Sequence, residues 1–461
     1  MDAFKAELMR RSPLAGCVLE LSDYLFDDAL LDSIWQEHRG RCYQDVLRFE
    51  DFVRLMRDAL AEHGGSAHAL FLDLEARQAE PVDESNFYRK LSRTPVELSR
   101  ALLSGCTARL GELLPCDALP LPGCFDAFAV IVGDGKKIKN ATKRLKPTRG
   151  YSGKLIGATA LVALDVRSGM AIAMSDSLDG LANDVPLVPA LMEQLRAAIA
   201  RPLLSIWDRQ FDDPRTLGVL SARAGDAYVV RMKQNYTFGV ESCEKTKDAQ
   251  GRQVIDEIGS LGKGKSTLRV RRITLRRGKG EDDVVLLSNL FDRAAFAAAE
   301  LLELYRKRWG IEAAGLRPPQ QVFQQVTETF ALQHLIGSSP RAVLLQLAYC
   351  LLLYNLVQLI KLYVAQDGKV LAGVVSTFYL FKDVRRELVG WRTTPMEAGR
   401  VNAAISSRCV RVCTNCCVEA GRRSPTPRRA TPSRAKSVHR PSACTAATAP
   451  FNACWKAGPG W

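Results

Sequence analysis

The stretch CFDAFAVIVGD, Cys124–Asp134, is an apolar run that stops on a carboxylate. Its length and its Phe, Val and Ile content predict a strand buried on both faces, ending at Asp134. The segments after it repeat the theme. KLIGATALVALDV (154–166) and MAIAMSDSL (170–178) read as two more strands joined by the short turn RSG. DVPLVPALMEQLRAAIA (184–200) has helical spacing, and PLLSIWDRQF (202–211) is a second buried strand that stops on a carboxylate, Asp208. DPRTLGVLSARAG (213–225) then predicts a helix and AYVVRMK (227–233) a strand. The order β-β-β-α-β-α-β defines an α/β fold, a mixed sheet with flanking helices.

Outside this core the pattern changes twice. Residues 1–115 are helical and mixed in charge, with DDALLDSIWQEHRG, RFEDFVRLMRDALAEHG and ESNFYRKLSRTPVELSRALLSG each carrying apolar residues at helical spacing. Ser85 is placed to cap the last of these. Its Arg89, Lys90 and Arg93 either meet DNA or form a solvated face. Residues 232–290 are β-rich: TLRVRRITLRRG (267–278) alternates basic and apolar residues, so its arginines face either solvent or phosphate. Helices resume in residues 291–400, where Val343–Ile360 is membrane-like in length but interrupted by Gln346, Asn355 and Gln358, the mark of a buried helix. Residues 401–461 have no periodicity and hold ten Lys/Arg against one acid, Glu419. They predict a disordered basic tail, and their cysteines fit no zinc spacing. The abrupt shift in composition reads as a lost coding frame.

The 461 residues are 47% hydrophobic and 25% charged, which suits a globular chain of two or three domains. A net charge of +14 points to a polyanionic partner, nucleic acid ahead of a membrane surface. Thirteen cysteines make no disulfide framework in a chain of this size, and the first residues do not form a signal peptide; a reducing, cytoplasmic setting follows.

Asp134 and Asp208 stand out by position, each closing an otherwise apolar strand. A carboxylate ending an apolar strand needs a compensating partner, either a helix cap or salt bridge, or a cation. If the fourth strand lies beside the first, the two acids become neighbours. They then repel unless a cation sits between them. Oxygen ligands favour Mg²⁺ or Mn²⁺, and two such ions about 3.5–4 Å apart support an in-line displacement at phosphorus. Asp212 and Asp213 read as caps of the following helix, and Asn183 with Asp184 as the cap of the preceding one.

IVGDGKKIKN (131–140), SIWDRQFDD (205–213) and YRKRWGIE (305–312) together resemble the DDE transposases of bacterial insertion sequences, nearest to the insertion-sequence-four family with its β insertion. The resemblance covers roughly residues 20–365. It implies a ribonuclease-H-like fold whose catalytic and metal-holding residues are Asp134, Asp208 and Glu312. It also implies two divalent ions, cut-and-paste transposition in the bacterial cytoplasm at the nucleoid, and a homodimer holding element terminal inverted repeats and target DNA. Tyr305 and Arg308 match the family signature that grips the transposon end. Trp309, Arg209, Lys136, Lys137 and Lys139 are further DNA-binding candidates. Glu328 is a weaker third acid, and His334 reads as structural.

The chain departs from the family pattern after Glu312. The signature asks for Lys seven residues on, where Pro319 stands. With AAGLRPPQ (313–320) left out, Leu304, Ile311, Phe323, Val326 and Phe330 form one helical stripe. An insertion into a once continuous helix accounts for this, since a Pro inside a helix costs about 3 kcal/mol. Two rivals stand beside a working transposase: an inactive relic that still binds DNA ends, and a non-specific metal-dependent nuclease of the same fold.

Overall fold

A computed structural model describes residues 13–393 apart from 44–45, 77–82, 116, 118–119, 139–155, 234–235, 263–266, 279–280, 309–335 and 338. Among the described residues six helices come first: α1 (Pro13–Leu25), α2 (Asp28–His38), α3 (Phe49–Ala61), α4 (Ala67–Ala76), α5 (Glu84–Arg93) and α6 (Val96–Gly111). The break between α5 and α6 falls at Thr94–Pro95, as the sequence pattern requires. Asp83, not Ser85, caps α5: its side chain accepts from the Ser85 N–H. Lys90 is turned inward, its ammonium 4.5 Å from the Trp35 ring centre and donating to the Leu47 carbonyl, while Arg89 and Arg93 stay exposed.

Nine strands follow in one sheet, ordered β3-β2-β1-β4-β5-β9-β8-β7-β6. They are β1 (Ala129–Ile138), β2 (Ile156–Asp165), β3 (Ala171–Asp179), β4 (Leu203–Trp207), β5 (Ala227–Arg231), β6 (Phe238–Lys247), β7 (Gln253–Leu261), β8 (Leu268–Leu275) and β9 (Val284–Ser288). Only the centre, β1-β4-β5, is parallel. Its crossovers run through α7 (Val188–Ala198) and α8 (Pro214–Leu220). The remaining pairs are antiparallel. Because β9 pairs with β5, the β-rich segment extends the central sheet.

The parallel centre is covered on both faces. Ala129, Ile131, Leu203 and Trp207 pack with Leu191 and Met192 of α7. Val130, Val132, Leu204 and Ile206 pack with Leu301, Leu304 and Tyr305 of α9 (Ala298–Arg308). Each Val, Leu, Ile or Met side chain among them contributes about 1.5–3 kcal/mol when fully buried.

The arginines of β8 are each paired with an acid: Arg269 is exposed, Arg272 half-buried and Arg271 buried. Arg269 pairs with Glu241 at 3.0 Å, Arg272 with Glu257 at 2.7 Å, and fully buried Arg271 with Asp256 at 2.6 Å. Asp256 and Glu257 lie on the adjacent strand β7 and Glu241 one strand further, on β6, relations that alternation along one strand cannot reveal.

α10 (Pro340–Asp367) ties the N-terminal helices to the sheet. Its Asn355 donates to Thr107 of α6 and to the Ala171 carbonyl of β3, both at 2.8 Å. The helix is long and apolar enough to cross a membrane, yet its apolar window is wholly buried in the fold. Gln346 and Gln358 are satisfied internally, by Ile336 and Thr377, so this is a core helix. α11 (Thr377–Thr393) closes the described chain, and its Glu387 accepts from the N–H groups of Leu14 and Ala15 at the start of α1.

Candidate active site

Strand register brings the two acids together. β1 and β4 run parallel with Val132 beside Ile206; two residues further on, the same register sets Asp134 beside Asp208. Neighbouring strands lie about 4.8 Å apart, within reach of a shared cation. Alternation puts both side chains on the face of Val130, Val132, Leu204 and Ile206, which is the face α9 covers. Asp208 remains extended (φ −79°, ψ 170°), and its Oδ1 accepts from the Arg209 N–H at 2.6 Å. Asp134 Oδ1 accepts from the Gly135 N–H at 3.0 Å. Both carboxylates are partly exposed.

Asp134 does not end its strand. β1 loses β4 as a partner after Val132 but keeps β2 as far as Ile138, so Lys136 and Lys137 continue the ladder. Lys136 shares the acids' parity and is half-buried; Lys137 is exposed on the other. Arg209 is exposed at the start of the turn Arg209–Phe211. Tyr305 is 3% exposed, its ring packed into the core beneath the sheet, so any contact with DNA must reach it through the cavity beside it. Arg308 closes α9. Lys139, Trp309, Glu312, Glu328, His334, the segment 313–320 and the basic tail lie outside the described residues.

A third residue joins the row. The parallel register of β4 with β5 sets Trp207 beside Val230, and therefore Asp208 beside Arg231. Arg231 shares the parity of Ala227 and Val229 and so faces α9 as the acids do. It opens on a cavity of about 470 Å³ lined also by Arg252, Arg277, Arg306, Leu302 and Tyr305. Arg252 is engaged by Asp248 at 2.6 Å and Arg306 by Glu303 at 3.0 Å. Arg231 has no ion pair among the described residues. Nothing in AYVVRMK alone marks this arginine; only the strand order does.

The caps expected between the strands divide differently. Asp213 does cap α8, accepting from Arg215 and Thr216. Asp212 is fully buried and instead accepts from the Lys233 N–H and the Tyr236 hydroxyl, fastening the end of β5. Asn183 accepts from the Val185 N–H, whereas Asp184 makes no capping bond.

Two carboxylates and a guanidinium stand at one level of three adjacent parallel strands, in a mixed sheet consistent with the ribonuclease-H-like fold. Among the described residues no three His, Cys, Asp or Glu side chains gather as a metal site. The hard oxygen pair nevertheless suits a divalent ion. Residues 126–356, half of the chain, match the family "Transposase DDE domain", and the chain belongs to that family. No curated protein matches it closely enough to report.

Proposed function

We propose that the chain is a cut-and-paste transposase of the insertion-sequence-four type, with Asp134, Asp208 and Glu312 as its metal-holding acids. The observation that carries this reading is the side-by-side register of Asp134 and Asp208 on the face covered by α9. α9, whose Leu301, Leu304 and Tyr305 cover the face that the two acids share, ends at Arg308, four residues before Glu312 in the sequence. When bound, Mg²⁺ or Mn²⁺ supplies charge neutralisation and an activated attacking oxygen at the scissile phosphate. The protein's part is to hold the acids in register and to meet the DNA backbone with cations. A dimer holding two element ends is the working unit we propose, on the family resemblance alone.

Arg231 fits a backbone contact beside the reacting phosphate. Arg231→Ala is expected to weaken binding to DNA carrying the gene's flanking ends by about tenfold, the worth of one charge-assisted hydrogen bond. It should also lower the slope of log affinity against log salt by about 1. Titration at several salt concentrations checks both; an unchanged slope rules out the contact.

The sequence AAGLRPPQ after Glu312 favours a second reading, a relic that binds ends without cutting them. The discriminating assay is Mn²⁺-dependent cleavage of the flanking-end DNA by this chain and by a version lacking residues 313–320. We expect the shortened chain to cut at least 10²-fold faster, since a displacement of about 1 Å at a catalytic group costs that much. Equal rates would make the segment a tolerated loop. Equal cutting of unrelated DNA would make the protein a nuclease without end specificity.

A further inference from the structure

Asp184 lies between β3 and α7 and is 7% exposed. Local backbone makes no use of its side chain, because Asn183 caps the turn that follows. Its carboxylate rests instead on Gly135: a Cβ there would fall 2.3 Å from Asp184 Oδ2 and 2.9 Å from Oδ1. Oδ2 also accepts from Gln210 Nε2 at 3.2 Å. Oδ1 is buried and has no hydrogen-bond partner among the described residues.

The two contacts share a logic. Gly135 follows Asp134, and Gln210 is two residues beyond Asp208. Gly135 alternates with Asp134 along β1, so Asp184 approaches from the face opposite the acids. One carboxylate therefore touches both acid-bearing segments from behind. Burying a charged group with an unfilled oxygen is costly, and such costs are retained at functional sites.

From this geometry we infer that Asp184 is a positioning residue for the Asp134–Asp208 pair. It holds the segments after β1 and β4 at a fixed separation, and its negative charge behind the pair favours a divalent cation in front. The inference rests on the proposed metal-holding role of the two acids.

The test is Mn²⁺ binding to the full chain without DNA, read by electron paramagnetic resonance, with thermal unfolding of each variant alongside. Asp184→Ala is expected to weaken Mn²⁺ binding about 10–100-fold, the usual range when a group supporting metal ligands is removed. Asp184→Asn keeps the shape and the Gln210 acceptor and should lose less. Gly135→Ala should weaken binding in the native background and add little once Asp184 is Ala, because the clash is gone. Asp208→Asn is the control for the underlying reading. If Asp208→Asn weakens Mn²⁺ binding but both Asp184 variants bind as the native chain does, the positioning role is overturned and the acids keep theirs. If Asp208→Asn changes nothing, the metal-holding reading fails and takes this inference with it. A variant that lowers the unfolding temperature while Mn²⁺ affinity holds marks a merely structural role and overturns the proposal.

Discussion

Asp208→Asn is expected to reduce Mn²⁺-dependent cleavage of end DNA by about 10³-fold or more, in whichever form of the chain cuts. Losing several kcal/mol of charge stabilisation at the scissile phosphate accounts for this size, at about 1.4 kcal/mol per factor of ten. The substitution isolates the charge. Asp208 holds its turn by accepting from the Arg209 N–H, and an Asn oxygen accepts equally well. Folding and DNA affinity should therefore stay near native values, which thermal unfolding and a binding titration check. Asp134→Asn should behave alike, since its fold contact, the Gly135 N–H, is also preserved. On the proposed shared site, the double substitution should cost little more than either single one. Cleavage retained within tenfold in either variant would remove that acid from the site.

Why these two residues were legible in the sequence, and others were not, follows from the fold. A parallel centre makes its strands near-continuous apolar runs, so a carboxylate ending such a run stands out. VIVGD and SIWD both show this; whether the two acids meet depended on β4 lying beside β1, a condition the sheet order meets. The end of β1 was less legible: the apolar run stops at Asp134, but β2 still pairs as far as Ile138, so the strand continues as Gly and Lys. Arg231 was invisible because its meaning lies in register with Asp208, across a helical crossover.

Acids near helix starts were the hardest to assign. Asn183 with Asp184, and Asp212 with Asp213, are adjacent polar residues before a turn, and composition cannot say which one meets an N–H. In each pair one residue caps while the other is buried against distant chain, Asp184 on Gly135 and Asp212 on Lys233 and Tyr236. Trp207 shows the same limit from the apolar side. Its ring fills the space above Gly133, where a Cβ would fall 2.0 Å away, so the glycine next to the first acid is fixed by an aromatic on the strand of the second.

Arg271→Met is expected to give the largest loss of stability, about 3–5 kcal/mol, because it leaves Asp256 buried without its partner. Arg271 is fully buried, and Asp256 is 4% exposed. Its guanidinium donates to both Asp256 oxygens and, at 2.8 Å each, to the Leu290 and Phe296 carbonyls. Exposed pairs such as Arg269 with Glu241 contribute at most about 1 kcal/mol, so solvent access separates them from this one. Arg293, 3.5 Å from Asp256, is the nearest other cation and should keep the loss toward the lower end. Adding Asp256→Leu to Arg271→Met removes the orphaned charge and should recover part of the stability, leaving the two carbonyls as the residual cost. Denaturant unfolding of the three variants measures both steps; a single-variant loss under 1 kcal/mol would show the pair to be dispensable. The site depends on it as well, because Leu290 and Phe296 lie in the segment that leads into α9. Loosening that segment frees the helix that carries the chain toward Glu312, so cleavage should fall in Arg271→Met even at temperatures where the protein remains folded.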